Sequence, residues 1–361
     1  MFASVQCTGP GSHQYSRSWV SSMYEHVARL AQEYVRDRAV LVLGCGASAP
    51  YGIPTMPKLA EGLIAGIPSD APEWQAFAEA LSQHGDLERT LHEVELPETL
   101  HRQVVEVTWA LVNAKDRELF GQLLSHPKIL SMGCLFRYLL RVARPHLSVV
   151  TTNYDRLAEY AADLANADAF TGFTSGLLRR FKPDRFAALQ VARLAGFEGR
   201  VDIWQVHGSL DWFLDASNSP VSIPLASEVP PGCSPLIVTP GVSKYRDVLV
   251  RDPFRTVLGR ADSALKTAGA YLCIGYGFND EHVQPVLVSR VCGEGVPLVL
   301  VTKDLTEPAR KILSTKTPPK YLVFTEADGG TMVYSQDAPN GEMLPDVSLW
   351  QVPEFLRLLE G

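Results

Sequence analysis

Apolar positions along the chain follow two rhythms. Between residues 19 and 36, Val20, Met23, Val27, Leu30, Ala31 and Tyr34 recur at helical spacing, which predicts an amphipathic helix with one face on a core. The next run, Ala39-Val-Leu-Val-Leu-Gly44, is apolar at every position up to the glycine. A strand without a polar side is covered by helices on both faces, as in parallel sheets. Strand-sized runs return at Leu147–Thr152, Val201–Val206, Pro235–Pro240, Ala270–Tyr276 and Pro297–Thr302, the last read as the final parallel strand. Helical stretches lie between them at Arg156–Asn166, Phe254–Thr267 and Glu281–Val291. Tyr321–Glu326 and Gly330–Tyr334 read as an edge hairpin turning at Asp328-Gly329, and Val352–Leu359 as a closing helix. Strands alternating with helices predict an α/β fold, a Rossmann-like three-layer arrangement around a mainly parallel sheet.

The alternation stops between residues 58 and 145. Ala71–Gln83, Leu87–Leu96, Thr99–Ala110, Lys115–Leu124 and Met132–Val142 all carry helical patterns, so an inserted helical region is expected there. His84, Asp86, Glu88, His92 and Glu93 fall on its amphipathic helices and read as a solvated face. Residues 1–18 are small and polar and read as a flexible N-terminal tail. The domain plan is therefore 1–18 as tail and 19–361 as one domain containing the helical insertion 58–145.

Composition narrows the class. Hydrophobic residues make up 46% and charged residues 20%, an ordinary soluble balance. The apolar runs are too short to span a bilayer, and residues 1–18 lack the basic start and apolar stretch of a secretory leader. No membrane association is expected. With 33 basic against 40 acidic residues the net charge is −7, which disfavours direct nucleic-acid binding. Arg179, Arg180, Lys182 and Arg185 form the densest basic cluster, read as a solvated helix face or an anion contact. Six cysteines, at 7, 45, 134, 233, 273 and 292, include no C-x-x-C pair. Neither a structural zinc site nor a disulfide framework is expected, and the pattern suits the reducing cytoplasm. Cys45 and Cys273 are expected to be buried thiols.

The chemistry-bearing residues gather where apolar runs end. Gly44-Cys-Gly-Ala-Ser48, followed by Gly52-Ile-Pro54, closes the first strand. Gly44 and Gly46 either let the backbone approach a pyrophosphate or simply form a tight strand-to-helix turn. Thr151-Thr-Asn-Tyr-Asp155, Val206-His-Gly-Ser209 and Cys273-Ile-Gly-Tyr-Gly-Phe-Asn-Asp-Glu-His282 end later runs. In this order the four segments resemble the sirtuin family: its G-x-G-x-S and glycine-isoleucine-proline loop, its threonine-glutamine-asparagine-x-aspartate motif, its catalytic histidine-glycine, and its late glycine-rich loop. The wording TTNYD, HGSLDW, LIVTPG before Lys244-Tyr245, and IGYGFNDEH resembles the sirtuin-like domains of bacterial antiviral defence more than the protein deacylases. Three features depart from the deacylases. The four zinc-binding cysteines are missing, Thr55-Met-Pro57 replaces aspartate-phenylalanine-arginine, and Thr152 replaces the glutamine beside the asparagine.

The resemblance implies a set of roles. Asn153 would hold a ribose hydroxyl and an attacking water, and His207 would act as general base, with Gly208 leaving room for the sugar. Gly44, Gly46, Ala47, Ser48, Asp155, Gly275, Tyr276, Gly277 and Asp280 would bind NAD. On residue type alone, Asp155 and Ser48 serve equally as helix caps, and Trp204, Trp212 and Phe213 either cover the nicotinamide or pack a core. The implied activity is NAD glycohydrolysis to nicotinamide and ADP-ribose, with NAD as substrate and no metal. The alternatives are NAD-dependent protein deacylation and non-catalytic sensing of NAD or ADP-ribose. The defence branch further implies a regulated effector that depletes NAD in abortive infection. It would be a homo-oligomer, or it would have a separately encoded partner such as a DNA-translocase-type ATPase.

Overall fold

The computed structural model describes residues 17–36, 38–84, 87–142, 145–182, 196–238, 251–280 and 282–361. The N-terminal tail up to residue 16, Arg185, Glu281 and the Thr239–Tyr245 part of the late proline-glycine segment lie outside them.

The main sheet contains β1 (Ala39–Leu43), β2 (His146–Thr151), β3 (Ala167–Phe170) and β5 (Gly199–Gln205). It continues with β9 (Ala270–Ile274), β10 (Leu298–Val301), β11 (Tyr321–Ala327), β12 (Gly330–Ser335) and β13 (Glu342–Pro345). Their order is β13-β12-β11-β10-β9-β1-β2-β5-β3. All neighbours from β11 to β3 pair parallel, while β12 and β13 are antiparallel. The fold is therefore a Rossmann-like α/β sheet. The last parallel strand is β11 and not β10: the expected hairpin forms around Asp328-Gly329, but its first strand runs parallel to β10.

The all-apolar strands have a simple cause. In β1, Leu41 and Leu43 enter a core on one face with α1 (Arg17–Val35), α7 (Ser131–Val142) and α8 (Leu157–Leu164). Val40 and Val42 enter a second core on the other face with α9 (Phe254–Thr267) and α10 (Gln284–Gly293). Both faces are buried, so neither tolerates a polar position. Among the described residues, no helix is long and apolar enough to cross a membrane.

The helical region is not one block. Helix α7 packs in the main three-layer core, whereas α3 (Met56–Gly66), α4 (Pro72–His84), α5 (Leu87–Glu93) and the first half of α6 (Glu98–Ser125) build a third core. The sequence pattern predicts two helices within Glu98–Ser125, but the structure has one. Its buried stripe Leu100, Val104, Thr108, Val112, Asp116, Leu119 and Leu123 runs on through polar positions. The third core is shared with a small antiparallel sheet of β4 (Arg179–Arg180), β6 (Gly208–Leu214), β7 (Pro220–Ser222) and β8 (Ser234–Ile237). The Pro235–Pro240 run thus supplies a strand to this second sheet and not to the parallel one. Arg179 and Arg180 sit on a strand instead of a helix, with Arg180 paired to Asp215 at 3.0 Å.

Candidate active site

Four neighbouring strands deliver the four motifs to one edge. In the order β9-β1-β2-β5, Ile274 pairs Leu43, Leu43 pairs Thr151, and Thr151 pairs Gln205. Gly275, Gly44, Thr152 and Val206 therefore start their loops at the same level, at the carboxyl ends where open parallel sheets place ligands. Because Thr151 and Gln205 are in register, Asn153 and His207 stand two residues past a paired position on adjacent strands.

The glycines of the first and last loops pack on each other. A Cβ on Gly44 would lie 2.4 Å from the Gly275 carbonyl oxygen, and one on Gly275 (φ +56°) 2.2 Å from the Gly46 carbonyl carbon. The Gly44 and Gly46 amides donate to Ile274 O and Gly275 O, both at 3.1 Å. These glycines thus make the close loop-to-loop contact of a tight strand-to-helix turn, with the Gly44 and Gly46 N–H groups donating within it. Gly208 (φ +90°) is similar: an added Cβ would meet Leu236 O at 2.1 Å, so β8 packs directly against this glycine.

Asn153 is half-buried and anchored. Its side-chain nitrogen donates to Gly44 O at 2.9 Å and to Ser48 Oγ at 3.1 Å, and its backbone N–H donates to Thr151 Oγ1 at 3.1 Å. Ser48, at the end of α2 (Cys45–Ser48), is fully buried and also hydrogen-bonds the Asp155 carboxylate. Ser48 and Asp155 thus form a chain of support behind the asparagine, Asn153 to Ser48 to Asp155. Asp155 also accepts from Leu157 N at 3.1 Å, the expected cap at the start of α8. Burial, followed by the nearby Asp116 charge, pushes its carboxyl up to about 6, against opposing bonds from Ser48 and Leu157 and the charge of Arg156.

His207 is 8% exposed, and its Nε2 lies 2.8 Å from Asp280 Oδ2. Asp280 Oδ1 accepts from His282 N at 2.9 Å and Val283 N at 2.6 Å. Burial would raise the Asp280 carboxyl, but His207, the Val283 N–H and His282 together hold it below the usual carboxylate range. Asp280 is thus engaged with His207 and the start of α10. Tyr276, expected on the ligand side of its loop, is buried with its ring 4.9 Å from Phe278 in the second core. The Gly277 carbonyl accepts from Thr306 Oγ1 at 2.5 Å. Ala47 is buried beside Ser48, and Trp204, Trp212 and Phe213 are core residues. Cys273 is buried as expected, but Cys45 is exposed, because it follows the strand and opens α2.

A buried ionic cluster missed by sequence reasoning underlies these loops. Arg156, adjoining Asp155, pairs with Asp116 of α6 and, at 2.5 Å, with Asp211 of β6, and donates to Asn113 Oδ1 at 3.1 Å. Its backbone N–H donates to Asp116 Oδ1 at 2.8 Å, and Tyr160 donates to Asp116 Oδ2 at 2.5 Å. Burial works against the guanidinium charge, but Asp211 and Asp116 outweigh it and raise its pKa. Burial pushes Asp211 up against that same arginine, and Glu159 well up because it is buried near both acids. The available signal was a charged residue interrupting an apolar pattern, Asp116 on the α6 stripe and Asp211 within Gly208–Leu214. Among the described residues, no three metal-ligating side chains gather.

A parallel sheet with glycine loops, an asparagine and a histidine at its carboxyl edge defines the chain first as a Rossmann-like α/β protein. Residues 147–316 match the family model of the SIR2-like domain. Over that stretch, a little under half of the chain, the sequence is similar to the SIR2-like domain. Among solved structures, a Sir2 homolog in complex with NAD is 15% identical, with 88% of this chain and 90% of that one covered and a TM-score of 0.40. A mutant Sir2 homologue bound to 2′-O-acetyl-ADP-ribose is 16% identical, with 82% and 89% covered and a TM-score of 0.42. Comparison with curated proteins gives no match.

Proposed function

We propose that the chain uses NAD as a substrate and hydrolyses the bond between nicotinamide and ribose. The observation that carries this reading is the placement of Asn153 and His207, each two residues past the paired Thr151–Gln205 ends of β2 and β5, with Asn153 bonded to the Gly44 loop. The side-chain nitrogen of Asn153 is held by Gly44 O and Ser48 Oγ, which leaves Oδ1 to accept from a ribose hydroxyl or a water. The C1′–N bond breaks with its electron pair going to the ring nitrogen, so nicotinamide departs neutral and needs no proton. Water oxygen then bonds C1′ and gives its proton to His207. A rigid Asn153 supplies orientation, which is where an oxocarbenium-like path gains most from a protein.

The setting implied by the motif wording belongs to the same proposal: a regulated cytoplasmic effector of bacterial antiviral defence, acting as a homo-oligomer or under a separately encoded partner. A time course of purified protein with NAD, resolved by chromatography, tests the chemistry. Nicotinamide and ADP-ribose in equal amounts are expected, and folded Asn153→Ala should release neither. Stoichiometric conversion of acetyl-lysine peptides with NAD loss identifies a deacylase instead, and tight NAD binding without turnover identifies a sensor.

A further inference from the structure

The late loop does more than turn the chain from β9 into α10. Strands β9 and β5 are separated in the sheet by β1 and β2. At ~4.8 Å per strand spacing, their ends lie roughly 14 Å apart. Yet Asp280 Oδ2 comes within 2.8 Å of His207 Nε2. Residues 275–280 therefore cross the edge that carries Gly44 and Asn153 and end on the histidine turn. Both partners are fixed. The His207 carbonyl accepts from Val238 N at 2.8 Å, tying the turn to the second sheet. Asp280 Oδ1 is held by two backbone N–H groups at the start of α10, which keeps Oδ2 close to the imidazole. The side chains are 10% and 8% exposed, so water competes little for the contact.

We infer that Asp280 is the positioning residue of a His207–Asp280 dyad, fixing the ring and keeping a proton on Nε2 while His207 serves the cleavage step. This rests on the hydrolase reading above. A carboxylate behind an imidazole selects its tautomer and stabilises the imidazolium formed when the ring accepts a proton. Asp280 acts through His207 and itself touches no reacting atom.

Asp280→Asn separates this role from helix capping, since the amide oxygen still accepts from His282 N and Val283 N while the charge is gone. Expected is a fall in kcat of at least ~10-fold and up to ~10⁴-fold, the loss known for Asp→Asn behind a general-base histidine, with KM and melting temperature little changed. In a His207→Ala background, Asp280→Asn should cost nothing further, because the two residues act as a unit. Imidazole ¹⁵N resonances of the labelled parent should show Nε2 of His207 protonated, and Asp280→Asn should shift them. Parental kcat in folded Asp280→Asn, additive losses in the double variant, or unshifted ring nitrogens would each overturn the dyad. Failure of the hydrolase reading shows separately, as a parent chain that releases no nicotinamide while its ring nitrogens still respond to Asp280→Asn.

Discussion

Replacing Asp155 with asparagine should stabilise the protein, and should do so only above a definite pH. The folded carboxyl keeps its proton up to about 6, against an ordinary value of 3.8. Ionising it inside the fold therefore costs ~3 kcal/mol more than ionising it in the unfolded chain. A raised carboxyl binds its proton more tightly when folded, so its contribution is fully present below pH 3.8 and is lost as pH rises through 6. The amide of the Asp155→Asn variant has no charge to ionise, keeps an oxygen for Leu157 N and Ser48, and escapes that loss. The stability gap between Asp155→Asn and parent should approach ~3 kcal/mol at pH 8, fall to about half by pH 5 and to ~0.5 kcal/mol at pH 4. With an unfolding entropy of ~2.1 cal/mol/K per residue, the pH 8 gap corresponds to ~4 °C in Tm. Calorimetric melts across this range, with assembly state held constant, measure it. Turnover should fall far less than in Asn153→Ala, since Asp155 works through Ser48. A variant less stable than parent at pH 8, or a gap independent of pH, would refute the assignment of a burial-raised carboxyl at this position.

Arg156→Met strands Asp116 and Asp211 as buried charges without their partner and should cost ~3–5 kcal/mol in denaturant unfolding at pH 7; a loss within the range of surface pairs would show that the cluster is not the joint between α6 and the loops after β2 and β5. Gly275→Ala sets a methyl 2.2 Å from the Gly46 backbone at φ +56°, so it should lower both Tm and NAD turnover by forcing the two loops apart. Gly52→Ala, at φ +83° with open space around it, is the control: it bears only the left-handed backbone cost of ~1–2 kcal/mol, and equal behaviour of the two variants would remove loop contact as the reason for Gly275.

The chain's own pattern determined its layers. Runs such as Ala39–Leu43 and Ala270–Ile274 are apolar at every position because both faces of a parallel strand are covered, and that property is written locally, residue by residue. The positions of Asn153 and His207 at neighbouring strand ends were legible for a related reason, since each directly follows a strand-sized run, and the strand end fixes where it stands. Pairing partners were not local. Nothing near Asp116 in the sequence announces Arg156, 40 residues on, or distinguishes a buried ion pair on the α6 stripe from a solvated break between two helices. Nor does the spacing of Gly44 and Gly275 reveal that each leaves its Cβ space to the other's loop and not to a ligand. The same holds for Asp280, which reads as an NAD contact until the fold brings His207 to it. Burial of an apolar side chain depends on its own chemistry, whereas the state of a buried charge depends on which distant group the tertiary structure brings within reach.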